Sequence, residues 1–231
     1  MKKNVKPIID VKIMATPKRT KYLENMLKKL NMSEDIIIFD DRKDGGGALY
    51  NARRCWNYPV KEGVTHRLVL QDDLLLCEDF IQTLTKAIEN FPYAMWSLYS
   101  SRVTFEDVED KTTPYLQKKG CGFHGQAICM PISYIKPCFD YIDNTFPKDY
   151  PHDDCAIGSF AKHYDMQVMT TVPSLVQHIA PNDSALGYNN KNKISKVWQG
   201  ENVSHINWDT DTFSVTKRII SNNTYLKKEK K

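Results

Sequence analysis

The chain has 231 residues, of which 41% are hydrophobic and 26% are charged, and its formal net charge is +4. This composition predicts a globular protein with a substantial core, and such a modest charge does not by itself indicate a nucleic-acid binder. The start lacks the apolar core of a signal peptide, no apolar run is long enough to span a bilayer, and the six cysteines form no C-x-x-C pair. We therefore expect a cytoplasmic protein with reduced thiols and no membrane contact.

The first hundred residues alternate between strand and helix patterns. Apolar and β-branched runs predict strands, and apolar residues at helical spacing predict helices. The predicted strands are 8–14, 36–40, 67–71 and 94–100, and the predicted helices are 18–30, 48–58 and 78–91. Because the connections are short, the pattern predicts right-handed βαβ crossovers and an α/β fold. Its central sheet is expected to be mostly parallel and flanked by helices.

The rhythm changes after residue 100. Residues 101–120 are polar and indicate a loop or a small hairpin. Further strands are predicted at 123–131 and 166–173, and further helices at 132–145 and 153–164. From about residue 190 the chain is polar and irregular. We therefore predict a domain over residues 1–190 and an irregular extension over 191–231, packed in part, with a disordered lysine-rich tail.

Paired acids stand at two predicted strand ends, Asp40-Asp41 and Asp72-Asp73. Ligands of parallel sheets collect beyond the carboxyl ends of the strands, and neither a G-x-G-x-x-G turn nor a P-loop follows the first strand. The phosphates of a nucleotide would need another partner. Carboxylates suit Mg²⁺ or Mn²⁺, which keeps few protein ligands when substrate phosphates complete its shell. Alternatively, Asp72 caps the helix near Glu78, or both acids are solvated turn residues.

Two further places carry titratable side chains. His152, Asp153 and Asp154 begin a predicted helix, where an acid can cap free N–H groups or serve as a general base toward a hydroxyl. His178 follows the last predicted strand, and it is either a satisfied structural histidine or a contact to metal or phosphate.

Taken together, these places resemble the nucleotide-sugar-dependent glycosyltransferases of the GT-A fold, and among them compact bacteriophage-type enzymes. The resemblance covers most of residues 8–190 and implies a Rossmann-like GT-A fold. The stretches that carry it are Thr16-Pro17-x-Arg19, Asp40, the Arg/Asn/Trp helix at 51–56, 68-LVLQDDLLL-76, 123-FHGQAICMP-131, the acids 153–154 and 173-PSLVQH-178.

The resemblance implies a role for each matching residue. Asp73 and His178 would bind Mn²⁺ or Mg²⁺, and either Asp153 or Asp154 would be the base of an inverting enzyme, with Asp153 preferred. Gln71 replaces the commoner acid of the motif. The donor would be a nucleotide-sugar, with a UDP-sugar favoured, and the residues expected near it are Thr16, Arg19, Asp40, Arg53, Gln71 and Asp72.

The sequence says least about the acceptor of the sugar. Basic and aromatic residues alternate in the C-terminal region, a pattern that suits a nucleic-acid strand or a flipped base. They are Lys191, Lys193, Lys196, Lys217, Arg218, Trp198, Trp208 and Tyr225. A hydroxymethylated pyrimidine of phage DNA, modified in the host cytoplasm, is therefore one acceptor, with a surface glycan or a protein as the alternatives.

Two rival functions stand beside the transferase. One is a non-catalytic module that binds a nucleotide-sugar or a nucleic acid. The other is a nucleotidyltransferase, which would want a glycine- and lysine-rich loop after the first strand. The sequence MATPKRT at residues 14–20 is a poor version of such a loop.

Overall fold

A computed structural model describes residues 6–42, 47–108, 113–120, 122–179, 193–217 and residue 219. The helices in these ranges are α1 (Leu23–Leu30), α2 (Ala48–Trp56), α3 (Phe80–Asn90), α4 (Ile132–Thr145) and α5 (Asp153–His163). The strands are β1 (Ile9–Ala15), β2 (Ile37–Phe39), β3 (His66–Gln71), β4 (Leu74–Leu76), β5 (Met95–Ser97), β6 (Tyr115–Gln117), β7 (Ala127–Pro131), β8 (Val168–Thr171), β9 (Val176–His178) and β10 (Ser214–Val215).

The central sheet has the strand order β10-β6-β8-β5-β7-β3-β1-β2. Strands β1, β2 and β3 are mutually parallel, and β5 is parallel to β8. Because β7 is antiparallel to both β3 and β5, these two groups run in the same direction. Strand β6 runs against β8, and β10 follows β6. The predicted α/β fold with a mostly parallel sheet is confirmed.

Helices cover both faces of this sheet because side chains alternate along each strand. On β1, Val11 and Ile13 point into one core together with residues of α1 and α3, whereas Met14 points into a second core with residues of α2, α4 and α5. The carboxyl ends of β1, β2, β3, β5 and β8 therefore lie along one edge. Within the described ranges, no helix has the length and apolar character needed to span a membrane.

The helix predicted from residue 18 begins later, at Leu23. The N–H of Arg19 closes a turn on the carbonyl of Thr16 (3.1 Å), and one turn of 3₁₀ helix at Thr20–Tyr22 precedes α1. The strand predicted from residue 123 likewise begins only at Ala127. In both places the irregular backbone lies next to the acids at the carboxyl edge of the sheet, as the contacts of the site show.

A separate two-stranded sheet was not predicted. The three leucines after the acid pair form β4, which pairs with β9 in antiparallel register, Leu74 opposite His178. Three-residue strands carry too little periodicity to be recognised from sequence, since their pairing is decided by partners about a hundred residues away.

Parts of the described C-terminal segment pack against the sheet, whereas Ile194, Phe213 and Ile219 are exposed. Val203 and Trp208 belong to the core beside α1 and α3, and β10 pairs with β6 at the sheet edge. The domain boundary at residue 190 stays a prediction. The lysine-rich tail lies outside the described residues.

Candidate active site

Asp72 and Asp73 lie in the bend between β3 and β4, and both are fully buried. The backbone N–H of Thr16 donates to Oδ2 of Asp72 (2.7 Å), and the Arg19 guanidinium bridges the two acids. Its Nη2 lies 2.6 Å from Oδ1 of Asp72, and its Nη1 donates to Oδ2 of Asp73. The acids are therefore neither solvated turn residues nor the cap of α3, whose N-cap residue is Asp79.

Burial and ion pairing act in opposite directions on Asp72. Desolvation raises the pKa of Asp72 to about 6, while the Arg19 charge and the Thr16 N–H oppose that rise by stabilising the carboxylate. A buried carboxyl group whose charged form is desolvated, at the carboxyl edge of a parallel sheet, is typical of a functional site.

His178 is brought to this acid pair by the β4–β9 ladder. Its Nε2 lies 3.0 Å from Oδ2 of Asp73, although the two residues are 105 positions apart in sequence. The register that sets Leu74 opposite His178 is extended by a bond from the Ile179 N–H to the Asp73 carbonyl (3.1 Å). The backbone thus fixes the spacing of the two side chains.

The other ring nitrogen of His178 identifies its tautomer. Nδ1 faces the carbonyl oxygen of Lys193 at 3.2 Å, and a carbonyl can only accept, so Nδ1 carries a proton. If the imidazole is neutral, Nε2 then presents a lone pair to the carboxylate of Asp73. That contact requires either a second proton on the ring or a cation shared by the two side chains.

The Asp73–His178 pair fits a divalent cation that takes most of its ligands from a substrate. Within the described ranges, no group of three or more His, Cys, Asp or Glu side chains is arranged around a common metal position. Oδ1 of Asp73 is buried without a hydrogen-bond partner among the described residues. Phosphate oxygens and water would complete such a shell.

Asp153 reaches the same edge from the other face of the sheet. It is the first residue of α5 and is buried. A Cβ placed on Gly125 would lie 2.9 Å from Oδ1 of Asp153 and 3.2 Å from Nε2 of Gln71, so both side chains touch this glycine. The Gln71 N–H donates to the Gln126 carbonyl (2.9 Å), which fixes this segment over the end of β3. Asp153 and the end of β3 therefore belong to one site.

The two acids at the start of α5 differ. Burial, reinforced by the neighbouring Asp154 charge, raises the pKa of Asp153 to about 7. Asp154 is only partly buried, and its Oδ1 accepts from the Cys155 N–H (2.7 Å). A buried carboxyl that titrates near neutrality can take a proton from a hydroxyl, so the environment favours Asp153 as the base.

Asp40 stands at the end of the neighbouring strand β2. Its carboxylate pairs with Arg42, whose Nη2 lies 2.8 Å from Oδ2, and this contact lowers the pKa of Asp40. Close by, Asn51 of α2 donates to the carbonyls of Ala15 (3.2 Å) and Ile38 (3.0 Å) and so caps the ends of β1 and β2. Its Oδ1 is buried and has no hydrogen-bond partner in the described part of the chain.

Arg53 is not brought to the acid pair. Its guanidinium pairs with Asp143 of α4 (2.7 Å) and stacks over the Phe139 ring. The structure therefore gives this predicted nucleotide contact a partner on a neighbouring helix.

Three contributors to the site were not singled out from the sequence: Gly125, Tyr99 and the Lys193 carbonyl. Tyr99 donates its hydroxyl to the same carbonyl that holds His178, and its ring lies edge-on to the rings of His178 and His124. A glycine inside a strand pattern indicates that another part of the chain approaches closely, so Gly125 could have been identified from the sequence. The contact made by a backbone carbonyl, such as that of Lys193, cannot be predicted from the sequence.

No protein-family model matches the chain, and no curated protein matches it. Three solved structures are similar at 10% identity. One is A197 from STIV, with a TM-score of 0.46 over 73% of this chain and 85% of that chain. The second is an inositol-1-phosphate CTP transferase from T. maritima, with a TM-score of 0.38 over 69% of this chain and 64% of that chain, which is less than two thirds of its length. The third is a Drosophila β-1,4-galactosyltransferase 7 mutant in complex with manganese, UDP-Gal and xylobiose. Its TM-score is 0.34, over 87% of this chain and 74% of that chain.

Proposed function

We propose that this protein is a metal-dependent glycosyltransferase that moves a sugar from a nucleotide-sugar, with a UDP-sugar favoured, to an acceptor hydroxyl with inversion. The observation that carries the proposal is the convergence of Asp73, His178 and Arg19 at the end of β3, with Asp153 and Gln71 both beside Gly125 at the same strand end. Cation ligands, a phosphate-binding cation and a neutral-range base are the groups that this reaction needs.

Asp73 and His178 would hold Mn²⁺ or Mg²⁺. A divalent cation at this pair supplies Lewis-acid neutralisation of the charge that grows on the leaving nucleoside diphosphate. Thr16 contributes a backbone N–H that orients Asp72, and Asp72 in turn holds Arg19 beside Asp73. The Thr16 N–H and the Arg19 guanidinium thus hold the two acids in place at the end of β3.

Asp153 accepts the proton of the acceptor hydroxyl. As that oxygen bonds to the anomeric carbon, the bond from this carbon to the phosphate oxygen breaks on the opposite face, which gives inversion. The proton stays on Asp153, and the electron pair leaves with the nucleoside diphosphate. Gly125 keeps the space between Asp153 and Gln71 free of a side chain, so backbone rather than a methyl group lines this part of the sugar site.

The nucleoside would lie toward the ends of β1 and β2. Asp40 and Asn51 are there. Oδ1 of Asn51 is buried and has no hydrogen-bond partner among the described residues, so it is an acceptor suited to an N–H of a base or an O–H of a ribose.

The acceptor is proposed only as a hydroxyl compound that approaches from the Asp153 side. The prediction of a DNA acceptor depended in part on two aromatic residues that are engaged in packing. Trp208 is buried in the core, and Trp198 packs against that core. Lys191, Arg218 and Tyr225 lie outside the described residues. A stacking platform for DNA bases therefore has no support from these two rings.

Thermal unfolding with nucleotide-sugars, with and without Mn²⁺, tests the proposal. We expect a UDP-sugar and Mn²⁺ together to raise Tm, and we expect neither component alone to raise it. A ligand present at about 100 times its Kd stabilises the native state by about 2.7 kcal/mol, so the shift is large enough to measure. Asp73→Asn keeps the shape of the side chain but removes its charge, and it should abolish the metal-dependent part.

Asp140→Ala is the matched control, because it removes an exposed carboxylate that pairs with Lys136 at the surface of α4. It should retain the full shift. An Asp73→Asn variant with an undiminished metal-dependent shift would show that the cation lies elsewhere and would refute the proposed site.

A further inference from the structure

The Arg19 guanidinium lies against the carboxylates of Asp72 and Asp73. It contacts Oδ1 of Asp72 at 2.6 Å, and it donates to Oδ2 of Asp73, the same oxygen that faces Nε2 of His178. One oxygen of Asp73 therefore serves a guanidinium and an imidazole together. This arrangement sets one positive charge of the chain against two buried carboxylates and so compensates their charge in part.

A divalent cation held by Asp73 and His178 would compete with this guanidinium. Both positive groups would lie on the same carboxylate in a buried site, where like charges repel strongly because water screens them little. The guanidinium would then need another anion, and a diphosphate provides one with the bidentate geometry that arginine favours.

The position of Arg19 in the chain permits this exchange. It lies in the turn after β1, closed by its own N–H on the Thr16 carbonyl, and it precedes the regular helix α1. Its side chain is 13% exposed, whereas those of Asp72 and Asp73 are 0% and 1% exposed. Arg19 is therefore the most exposed member of this cluster, and it lies in a turn rather than in a strand.

We propose that Arg19 is an exchangeable counter-ion, which pairs with Asp72 and Asp73 in the free protein and turns to the diphosphate when the donor and a divalent cation arrive together. This inference rests on the proposed function and adds an order of events to it. Cation and diphosphate bind as a pair, because the cation alone must displace a buried arginine and the diphosphate alone meets uncompensated carboxylates.

Arg19→Gln tests this with two binding measurements that do not involve turnover. Mn²⁺ alone is titrated and followed by the electron paramagnetic resonance of the free ion, and UDP is titrated in saturating Mn²⁺ by calorimetry. Loss of the competing charge should tighten binding of Mn²⁺ alone by at least about tenfold, and loss of the phosphate contact should weaken UDP binding by at least about tenfold. The two effects have opposite signs, which a merely structural role would not produce.

Lys136→Gln is the control, since it removes one positive charge from an exposed position on α4 and should change neither affinity. Arg19→Lys keeps the charge but lacks the guanidinium fork, so it should show both changes in the same directions and at smaller size. If Arg19→Gln does not fold, as judged by circular dichroism, Arg19→Lys supplies the test.

Unchanged Mn²⁺ affinity in these variants, or unchanged UDP affinity, overturns the exchange. Failure of the proposed function has a different result: wild-type protein would bind UDP equally well with and without Mn²⁺. A wild-type protein that needs Mn²⁺ for UDP, combined with Arg19 variants that leave both affinities unchanged, refutes only the role given to Arg19.

Discussion

Asp153 and Asp154 are neighbours in sequence, yet their environments give the two carboxyls different chemistry. Asp153 is buried against Gly125 and its pKa is raised, whereas Asp154 is partly exposed and accepts from the Cys155 N–H. Sequence could not separate them, because both occupy the first turn of a helix, where either one can cap. The difference comes from burial, which desolvates the Asp153 carboxyl and leaves the Asp154 carboxyl partly exposed.

The pH dependence of turnover tests this assignment. A general base works as the carboxylate, so kcat/KM should rise with pH and level off above a pKa of about 7. Asp154→Asn removes a negative charge that raises the pKa of Asp153, so it should shift this rise to lower pH. Asp153→Asn should lower kcat by roughly 10²- to 10⁴-fold and abolish the rise. A flat profile in wild-type protein, or full activity in Asp153→Asn, would contradict the assignment.

Helix α2 is anchored to the sheet by one buried arginine. Arg67 of β3 donates from Nη1 to the carbonyls of Trp56 and Tyr58, both at 2.6 Å, and from Nε to Asp10 at 2.8 Å. Its side chain therefore caps the carboxyl end of α2 and joins it to β1 and β3 at the amino edge of the sheet. This cap holds α2, with Asn51, in place beside the candidate nucleotide site.

Arg67→Ala should lower the free energy of unfolding by about 2–4 kcal/mol, because it leaves several carbonyls at the end of α2 without their donor and removes the arginine partner of the partly exposed Asp10. Urea denaturation followed by circular dichroism measures the change. Arg54→Ala is the comparison, since this arginine is 37% exposed and its ion pair with Asp41 is at the surface. It should cost less than about 1 kcal/mol. Equal losses in the two variants would show that Arg67 does not anchor the helix.

The elements that sequence predicted well are those whose pattern is local. The strands near residues 9–15 and 66–71 and the helices at 80–90 and 132–145 have continuous apolar runs or helical periodicity, and they form where expected. The β4–β9 pair was not predicted, because its partners are about a hundred residues apart in sequence. That pair is what joins His178 to Asp73. The resemblance implied that both side chains bind one cation, but the strand pairing that brings them together could not be derived from the pattern of the residues.

At the scale of the molecule, the described part of the C-terminal segment contributes to the core and to the sheet edge. Trp208 is buried beside Tyr115 of β6, its carbonyl accepts from the Tyr115 hydroxyl (2.6 Å), and its indole N–H donates to Val203 (3.1 Å). Further back in the same segment, the Lys193 carbonyl holds His178. The segment therefore contributes both to the core and to the position of a candidate metal ligand.

We therefore expect the described chain to unfold in one cooperative transition, with residues 193–217 and the sheet melting together. Trp208→Ala should lower the free energy of unfolding by about 3–5 kcal/mol and shift that single transition as a whole, since it opens a cavity beside Tyr115 and Val203. Calorimetry and circular dichroism should give the same midpoint. Ile194→Ala, at a side chain 46% exposed in the same segment, should change little. If Trp208→Ala instead split the unfolding into two transitions, the extension would be a separate unit. The Lys193 carbonyl could then come away from His178 while the sheet stayed folded.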